Sequence, residues 1–305
     1  LPPDAPTPAT DQRKAWTILL LTATFWGGNV VASRSAVGEV SPMALVTIRW
    51  AIVTAIMLAV CWRDCIRDWP VIRAHWLPIS LMAFFGFTLY HALYFGAAHA
   101  TSGVHLAILQ GVAPAFIFAG ARIFYGTPIG LVRGVGLALT MLAVVVVATR
   151  GEPQHIIGME LNIGDVAMLV ASLFYAGYTV ALRKRPPVSA LAFFTAVAAV
   201  ATITSMPLLA GEMMLGRVQW PTPKGWLVLS YIIVFPSLLA QVFFIRGVAI
   251  IGPGRASLFY NLVPVLGATM AVTLLGEPFA PYHAVGLAMA LGGVLIAETF
   301  GGRKF

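Results

Sequence analysis

Apolar residues in this chain fall in long runs separated by short clusters of Pro, Gly and charge. Ten runs stand out, at 15–32, 43–62, 77–98, 103–124, 130–149, 161–181, 189–210, 226–245, 254–275 and 282–300. A hydrocarbon layer about 30 Å thick takes roughly 20 apolar residues of helix, so each run predicts one crossing. The segments between them, such as Gly38–Pro42, Arg63–His75, Gly151–Glu160, Arg183–Pro187 and Gly211–Gly225, read as connecting loops. The ~10-residue alternation of a membrane barrel is absent, and no loop is long enough to fold by itself. The expected fold class is all-α integral membrane.

Composition narrows the picture. Charged residues make up 10% of the 305 positions, against roughly 25% in an ordinary soluble domain, and mean hydropathy is +0.89. Such a chain cannot cover a folded surface with water-soluble groups, which argues against a cytosolic enzyme, a disulfide scaffold or a disordered protein. The formal charge of +8 comes from basic residues scattered singly, without a basic face or a base-stacking module, so no nucleic-acid partner is expected. Their placement carries the orientation. Arg13, Lys14, Arg63, Arg67, Arg73, Arg122, Arg133, Arg183, Lys184, Arg185, Arg246, Arg255, Arg303 and Lys304 fall on one side, and Arg34, Arg150, Arg217 and Lys224 on the other. By the positive-inside rule both termini are expected in the cytoplasm, in a bacterial inner membrane. Cys61 and Cys65 then flank a cytoplasmic loop, where thiols stay reduced. With His75 they make an incomplete ligand set, so neither a metal nor a cofactor is expected. Leu1–Thr10 lacks the charged and apolar regions of a signal peptide, which makes the first run a retained helix.

The two halves echo each other. Phe25/Phe174, Gly28/Gly177 and Arg34/Arg183 pair at a shift of 149 residues, and Trp76/Trp226, Phe85/Phe235, Pro114/Pro264, Gly126/Gly276, Pro128/Pro278 and Gly136/Gly286 at 150. Matched Trp, Pro and Gly across five runs predict two five-helix repeats, and an odd helix number turns the second copy upside-down. The expected organisation is a disordered cytoplasmic tail at 1–14, a first repeat at 15–149, an outer linker at 150–160, a second repeat at 161–300 and a cytoplasmic tail at 301–305. Inverted repeats are a common plan of secondary transporters, with the substrate near the membrane midplane where the repeats meet.

The run Ser257-Leu-Phe-Tyr-Asn-Leu-Val-Pro264, the following Leu275-Gly276-Glu277-Pro278 and the Gly-rich last run resemble the repeat of the drug/metabolite transporter superfamily, EamA type. The resemblance covers the whole chain, with one departure: Gly126-Thr127-Pro128 lacks the Glu. Within the superfamily the chain looks most like amino-acid and metabolite exporters, in particular the aromatic amino-acid branch. That likeness implies a small-molecule substrate, a membrane-lipid environment and no enzymatic activity.

Polar and aromatic side chains at membrane depth tend to face a cavity or another helix. In the third run Tyr90, His91 and Tyr94 share a face with Phe87, and their repeat partners in the eighth include Gln241 and Phe244. Gln110 in the fourth run matches the register of Tyr260 and Asn261 in the ninth. Trp26 and Asn29 in the first correspond to Tyr175 and Tyr178 in the sixth. These residues are the expected lining of one central pocket. Arg49, with Trp50 beside it, either snorkels to the surface or faces that pocket and holds a substrate carboxylate. Pro114 and Pro264, midway along their helices, are the hinge candidates. Gly134/Ala138 and Ala288/Gly292 would let the fifth and tenth helices pack closely and support a homodimer.

No Asp or Glu falls mid-run, since Asp165, Glu277 and Glu298 all lie near run ends. A largely uncharged, aromatic pocket suits a zwitterion. The expectation is therefore export of neutral or aromatic amino acids and related metabolites by facilitated alternating access. The alternative is broad drug or metabolite efflux, proton-coupled through His91. Catalytic residues are not expected: His75, His99, His105, His155 and His283 read as scattered, without a Ser–Asp or Glu set to match.

Overall fold

The computed structural model describes residues 9–126, 130–152, 162–251, 256 and 259–296. Among them there is no strand. The helices are α1 (Ala9–Ser35), α2 (Pro42–Ala74), α3 (Trp76–Ala97), α4 (Gly103–Tyr125), α5 (Leu131–Ala148), α6 (Ile163–Ala181), α7 (Ala190–Met214), α8 (Pro223–Ile251), α9 (Leu262–Leu275) and α10 (Pro281–Leu295). Seven of these are long and apolar enough to cross a membrane, and α9, α10 and the Gly134–Ala148 part of α5 are shorter apolar helices. Large apolar side chains stand on the outside, including Val60, Ile123, Leu131, Leu227 and Leu274, while Arg49, Thr88, Thr140, Asp165 and Ser205 are buried. A soluble monomer does not expose apolar surface on this scale. The chain is a multi-pass membrane protein.

Two boundaries differ from the sequence reading. The helix of α1 already begins at Ala9, inside the segment expected to be a disordered tail; residues 1–8 and 301–305 lie outside the described residues. The expected loop Arg63–His75 is helical up to Ala74, and Cys61 and Cys65 lie within α2. Alternating charge there keeps an exposed helix soluble: Arg67 pairs with Asp64 at 3.0 Å and Asp68 at 2.9 Å. The break in polarity shows as a kink at Cys61 (φ −112°, ψ 19°) and not as a loop.

Side-chain caps start several helices where Ser, Thr or Asn precedes an apolar run. Ser102, Asn162, Ser189 and Thr222 accept bonds from backbone N–H groups of α4, α6, α7 and α8. The halves repeat local features at a shift of 150. Gly126 and Gly276 end α4 and α9 in the left-handed region, at φ 65° and 66°, where only glycine is unstrained. Helices α3 and α8 each contain a π-helical turn, at Phe84–Leu89 and Ile233–Leu239. The ring pair Phe25–Phe235 joins α1 to α8 at 5.0 Å, and Phe85–Phe174 joins α3 to α6 at 5.4 Å.

Helices α2 and α7 pack along their length, with Thr54 and Thr202 hydroxyls 3.2 Å apart. Helices α5 and α10 form a second pair to one side. Their contact corrects the small-residue expectation. It runs through Gly136, Thr140, Ala143 and Val147 against Gly286 and Gly293, whereas Ala138 and Ala288 face outward. A Cβ at Gly293 would stand 2.4 Å from Thr140 Oγ1 and 2.5 Å from the Gly136 carbonyl; at Gly292 the nearest atom is 3.9 Å away. Gly293→Ala is therefore expected to lower stability by about 1–3 kcal/mol. Gly292→Ala should stay within about 0.5 kcal/mol of wild type. Unfolding of both variants in detergent checks the contrast.

Candidate functional site

The site begins with a proline. Pro236 lies in the π-helical turn of α8 and has no N–H to give the carbonyl of Ile232 one helical turn earlier. The Ser237 hydroxyl donates to that carbonyl at 2.6 Å. The Pro236 carbonyl in turn accepts the Trp26 indole N–H at 3.1 Å. Ser237 Oγ also accepts from Nε of Arg49, at 2.8 Å, which draws a charged side chain of α2 into the centre of the bundle. The matching turn of α3 has Gly86, and a Cβ there would run into the Tyr178 ring. In that turn the Phe87 carbonyl accepts from His91 Nδ1–H at 2.7 Å. This bond fixes the neutral imidazole with Nε2 as its acceptor.

Helices α4 and α9 are interrupted at related places. A turn at Gly111–Val112 divides α4 into Gly103–Gln110 and Ala113–Tyr125, and a turn at Asn261 precedes α9. Pro264 packs on Gly111, where a Cβ would stand 3.0 Å from Pro264 Cγ. Pro114 and Pro264 each follow the break by three residues and occupy the first turn of a new helix, where a missing N–H costs nothing. The sequence makes them hinge candidates midway along continuous helices; the discontinuity precedes them, at Gly111–Val112 and Asn261.

These interrupted helices surround a cavity of about 90 Å³. Of the expected lining residues, Trp26, Asn29, Arg49, Trp50, Tyr90, His91, Gln110, Tyr175, Gln241 and Tyr260 border it. The rings form a continuous wall: Trp50 lies 5.1 Å from both Phe87 and His91, Tyr90 5.2 Å from Tyr175, and Trp26 5.6 Å from Tyr260. The other four candidates sit behind this wall. Tyr94 is buried against Tyr90 and Phe95, and Tyr178 supports Phe87 and Tyr175. Phe244 packs on Trp26 and on the cluster of Leu19 and Ile251, and Asn261 lies with Gly111 and Pro264 at the helix breaks. Gly86, Phe194, Pro236 and Ser237 also line the cavity and were not candidates. Phe194 carries no polar signal, but a Pro-Ser pair inside an apolar run does mark an irregular turn with a hydroxyl beside it.

The expectation of an uncharged pocket is corrected by Arg49, which is 4% exposed and lines the cavity. It does not snorkel. Its Cζ lies 4.6 Å from the Trp50 ring centre and 5.7 Å from that of Phe95.

A second polar centre lies at one end of the bundle. Glu277, from the Leu-Gly-Glu-Pro segment, accepts from the N–H groups of Gly103 (2.9 Å) and Val104 (3.0 Å) at the start of α4, and pairs with Arg34 at 3.3 Å. Arg34 also donates to the Ala98 carbonyl. Asp165 accepts from the Thr101 hydroxyl and from His105 Nδ1, the latter at 2.9 Å. His283 stands 5.1 Å from His105. Arg34, Thr101, His105 and His283 border a cavity of about 440 Å³ together with His99, Arg150 and Tyr282. His99, His105 and His283 are thus gathered with an acid, and not scattered as expected; His155 lies outside the described residues. Thr101 and His105 both donate to the carboxylate, unlike a relay in which His bridges hydroxyl and acid.

The comparisons with known proteins come down on one family. The sequence profile of the EamA-like transporter family matches residues 13–149 and again 162–299. The chain belongs to the EamA-like transporter family. Similar proteins include the uncharacterized transporter YyaM of Bacillus subtilis, 25% identical over 93% of both chains. An uncharacterized transporter of Archaeoglobus fulgidus is 27% identical over 93% of this chain and 98% of its own. A crystal structure covering 97% of this chain and 99% of its own superposes with a TM-score of 0.62 at 19% identity, which extends the likeness to the fold. The protein is a membrane transporter of this family, and Glu277 of the Leu-Gly-Glu-Pro segment has a structural role, tying the end of α9 to the start of α4.

Two substitutions test these anchors. Ser237→Ala removes the hydroxyl that bonds Arg49 Nε and the Ile232 carbonyl and is expected to cost about 1–3 kcal/mol. Glu277→Ala strips the start of α4 of its carboxylate and should cost a similar amount, with faster amide exchange at Gly103 and Val104. Thermal unfolding and hydrogen exchange in detergent measure both.

Proposed function

We propose that this protein exports neutral and aromatic amino acids and related metabolites across a bacterial inner membrane, by facilitated alternating access around the central cavity. The observation that carries this reading is the convergence of four interrupted helices on one aromatic cavity. The π-helical turns of α3 and α8 lie 150 residues apart and line the cavity, and Gln110 and Tyr260, each next to one of the paired breaks at Gly111 and Asn261, border it too. Ten helices in two inverted repeats, with both termini cytoplasmic, account for that pairing: each feature in one half faces its copy from the opposite direction. Irregular backbone at membrane depth is tolerated where it lines a cavity, and that is where transporter sites are built.

At about 90 Å³ the cavity is smaller than the ~300–1,000 Å³ of small-molecule sites. An amino acid of phenylalanine's size enters only when the repeats part, as alternating access requires. Aromatic walls take an apolar side chain, and Gln110 and Gln241 offer amide hydrogen bonds. The second reading, broad efflux coupled to protons, draws on His91, whose ring lines the same cavity.

Counterflow of labelled amino acids in liposomes tests the proposal. Wild type is expected to exchange phenylalanine above empty liposomes, unchanged when an imposed proton gradient is collapsed. His91→Ala and Gln241→Ala should each slow exchange about tenfold, as one lost hydrogen bond to substrate does. If no amino acid exchanges, the amino-acid reading fails and family membership stands. If exchange stops with the gradient, the His91 reading replaces the facilitated one.

A further inference from the structure

Arg49 is a buried cation whose surroundings do not neutralise it. Its Nε is bonded to a neutral hydroxyl, Ser237 Oγ. One face is covered by the Trp50 ring. Nη1 is buried with no hydrogen-bond partner. Among the described residues no Asp or Glu forms an ion pair with it, and none lines the cavity. The guanidinium is a planar fork whose shape matches a carboxylate in a two-pronged pair. Ser237 and Trp50 hold that fork at the cavity wall, so its orientation is set before anything binds.

The cavity is asymmetric in charge. It offers one positive group, while the groups able to receive an ammonium are neutral: the ring faces and the oxygens of Tyr90, Gln110 and Gln241. Gln110 Oε1 is itself buried without a partner. A phosphate dianion calls for more donors than one arginine supplies, whereas a monocarboxylate matches it in charge and shape.

We propose that the transported class is defined by a carboxylate bound to Arg49 beside an apolar group in the aromatic wall, and that the α-amino group is not required. Amino acids are then one subset of the substrates, and their deaminated analogues are substrates too. This rests on the reading of the central cavity as the substrate site, and it narrows what that site recognises.

The experiment uses the purified full chain in liposomes and in detergent. Phenylalanine counterflow is competed with 3-phenylpropionate, which lacks the amino group, and with phenethylamine and phenylalanine amide, which lack the carboxylate. Wild type is expected to be inhibited by phenylpropionate within about threefold of unlabelled phenylalanine, and by the two amines at least about tenfold more weakly. Arg49→Gln should lower phenylalanine and phenylpropionate transport about 100-fold, as loss of one partner of a buried charge pair does. Arg49→Lys, which keeps the charge but not the fork, should fall between. Independently of transport, phenylpropionate should raise the unfolding temperature of wild type and leave that of Arg49→Gln unchanged; phenethylamine should raise neither. Amines that compete as well as phenylalanine in wild type overturn the carboxylate proposal and leave amino-acid export standing. Uptake of phenylpropionate without exchange of phenylalanine does the reverse. If phenylpropionate is neither carried nor stabilising, the proposal falls whatever the variants do.

Discussion

A guanidinium in the middle of a membrane bundle is the group this fold must work hardest to hold. Taking an unpaired ion out of water costs several kcal/mol even after the protein relaxes. The ring of Trp50 returns up to about 2 kcal/mol, and the bond to Ser237 a similar amount. The same hydroxyl donates to the Ile232 carbonyl within the π-helical turn that carries Pro236, which holds the serine against α8 where Arg49 reaches it. One π-helical turn therefore carries both a part of the cavity wall and the hydroxyl that holds its only charge among the described residues.

The same logic of interrupted backbone recurs in the partner helices. Gly86 stands where Pro236 stands in the second half, and it widens α3 by admitting the Tyr178 ring instead of by removing an N–H. Gly111 and Asn261 break α4 and α9, and the break lets Pro264 seat against Gly111. The side chains beside these interruptions that border the cavity, Phe87, Gln110, Gln241 and Tyr260 among them, are aromatic rings and amides. Helices α5 and α10 run without a break over Leu131–Ala148 and Pro281–Leu295 and pack against each other through small residues. Irregular helices form the site and regular ones brace it.

Much of this was legible in the chain because the membrane makes polar residues conspicuous. Asn29, His91, Gln110 and Gln241 stand out against apolar neighbours, and the shift of 149–150 residues supplies a reason for them to meet. Arg49 was ambiguous because a long side chain near a helix end can reach water, and only the position of Ser237 decides that it turns inward. Phe194 was invisible, since nothing distinguishes a phenylalanine facing a cavity from one facing a neighbouring helix. Tyr94 and Phe244 failed for the opposite reason: helical spacing puts them on the right face, one layer too deep. The cluster of His99, His105, His283 and Asp165 was missed because its members come from four separate segments, and short loops near run ends carry no periodicity that would place them together.

The carboxylates show why the centre is left with a cation alone. Glu212 accepts from Ser41 and the Met43 N–H at the start of α2, Asp68 from the Ser189 N–H before α7, and Glu277 from the first N–H groups of α4. Glu39 is held below the usual carboxylate range by the Thr222 hydroxyl and Lys224 at the start of α8. Each acid neutralises the positive end of a helix dipole, so the scarce negative charge is committed to helix ends. An anion bound to Arg49 would then have no competitor in the cavity. The empty cavity holds a bare charge and the filled one a neutral pair, and a dry, closed cavity tolerates the pair far better. Under the carboxylate reading, occupancy itself favours closure, because the substrate supplies the counter-charge that the protein has placed elsewhere.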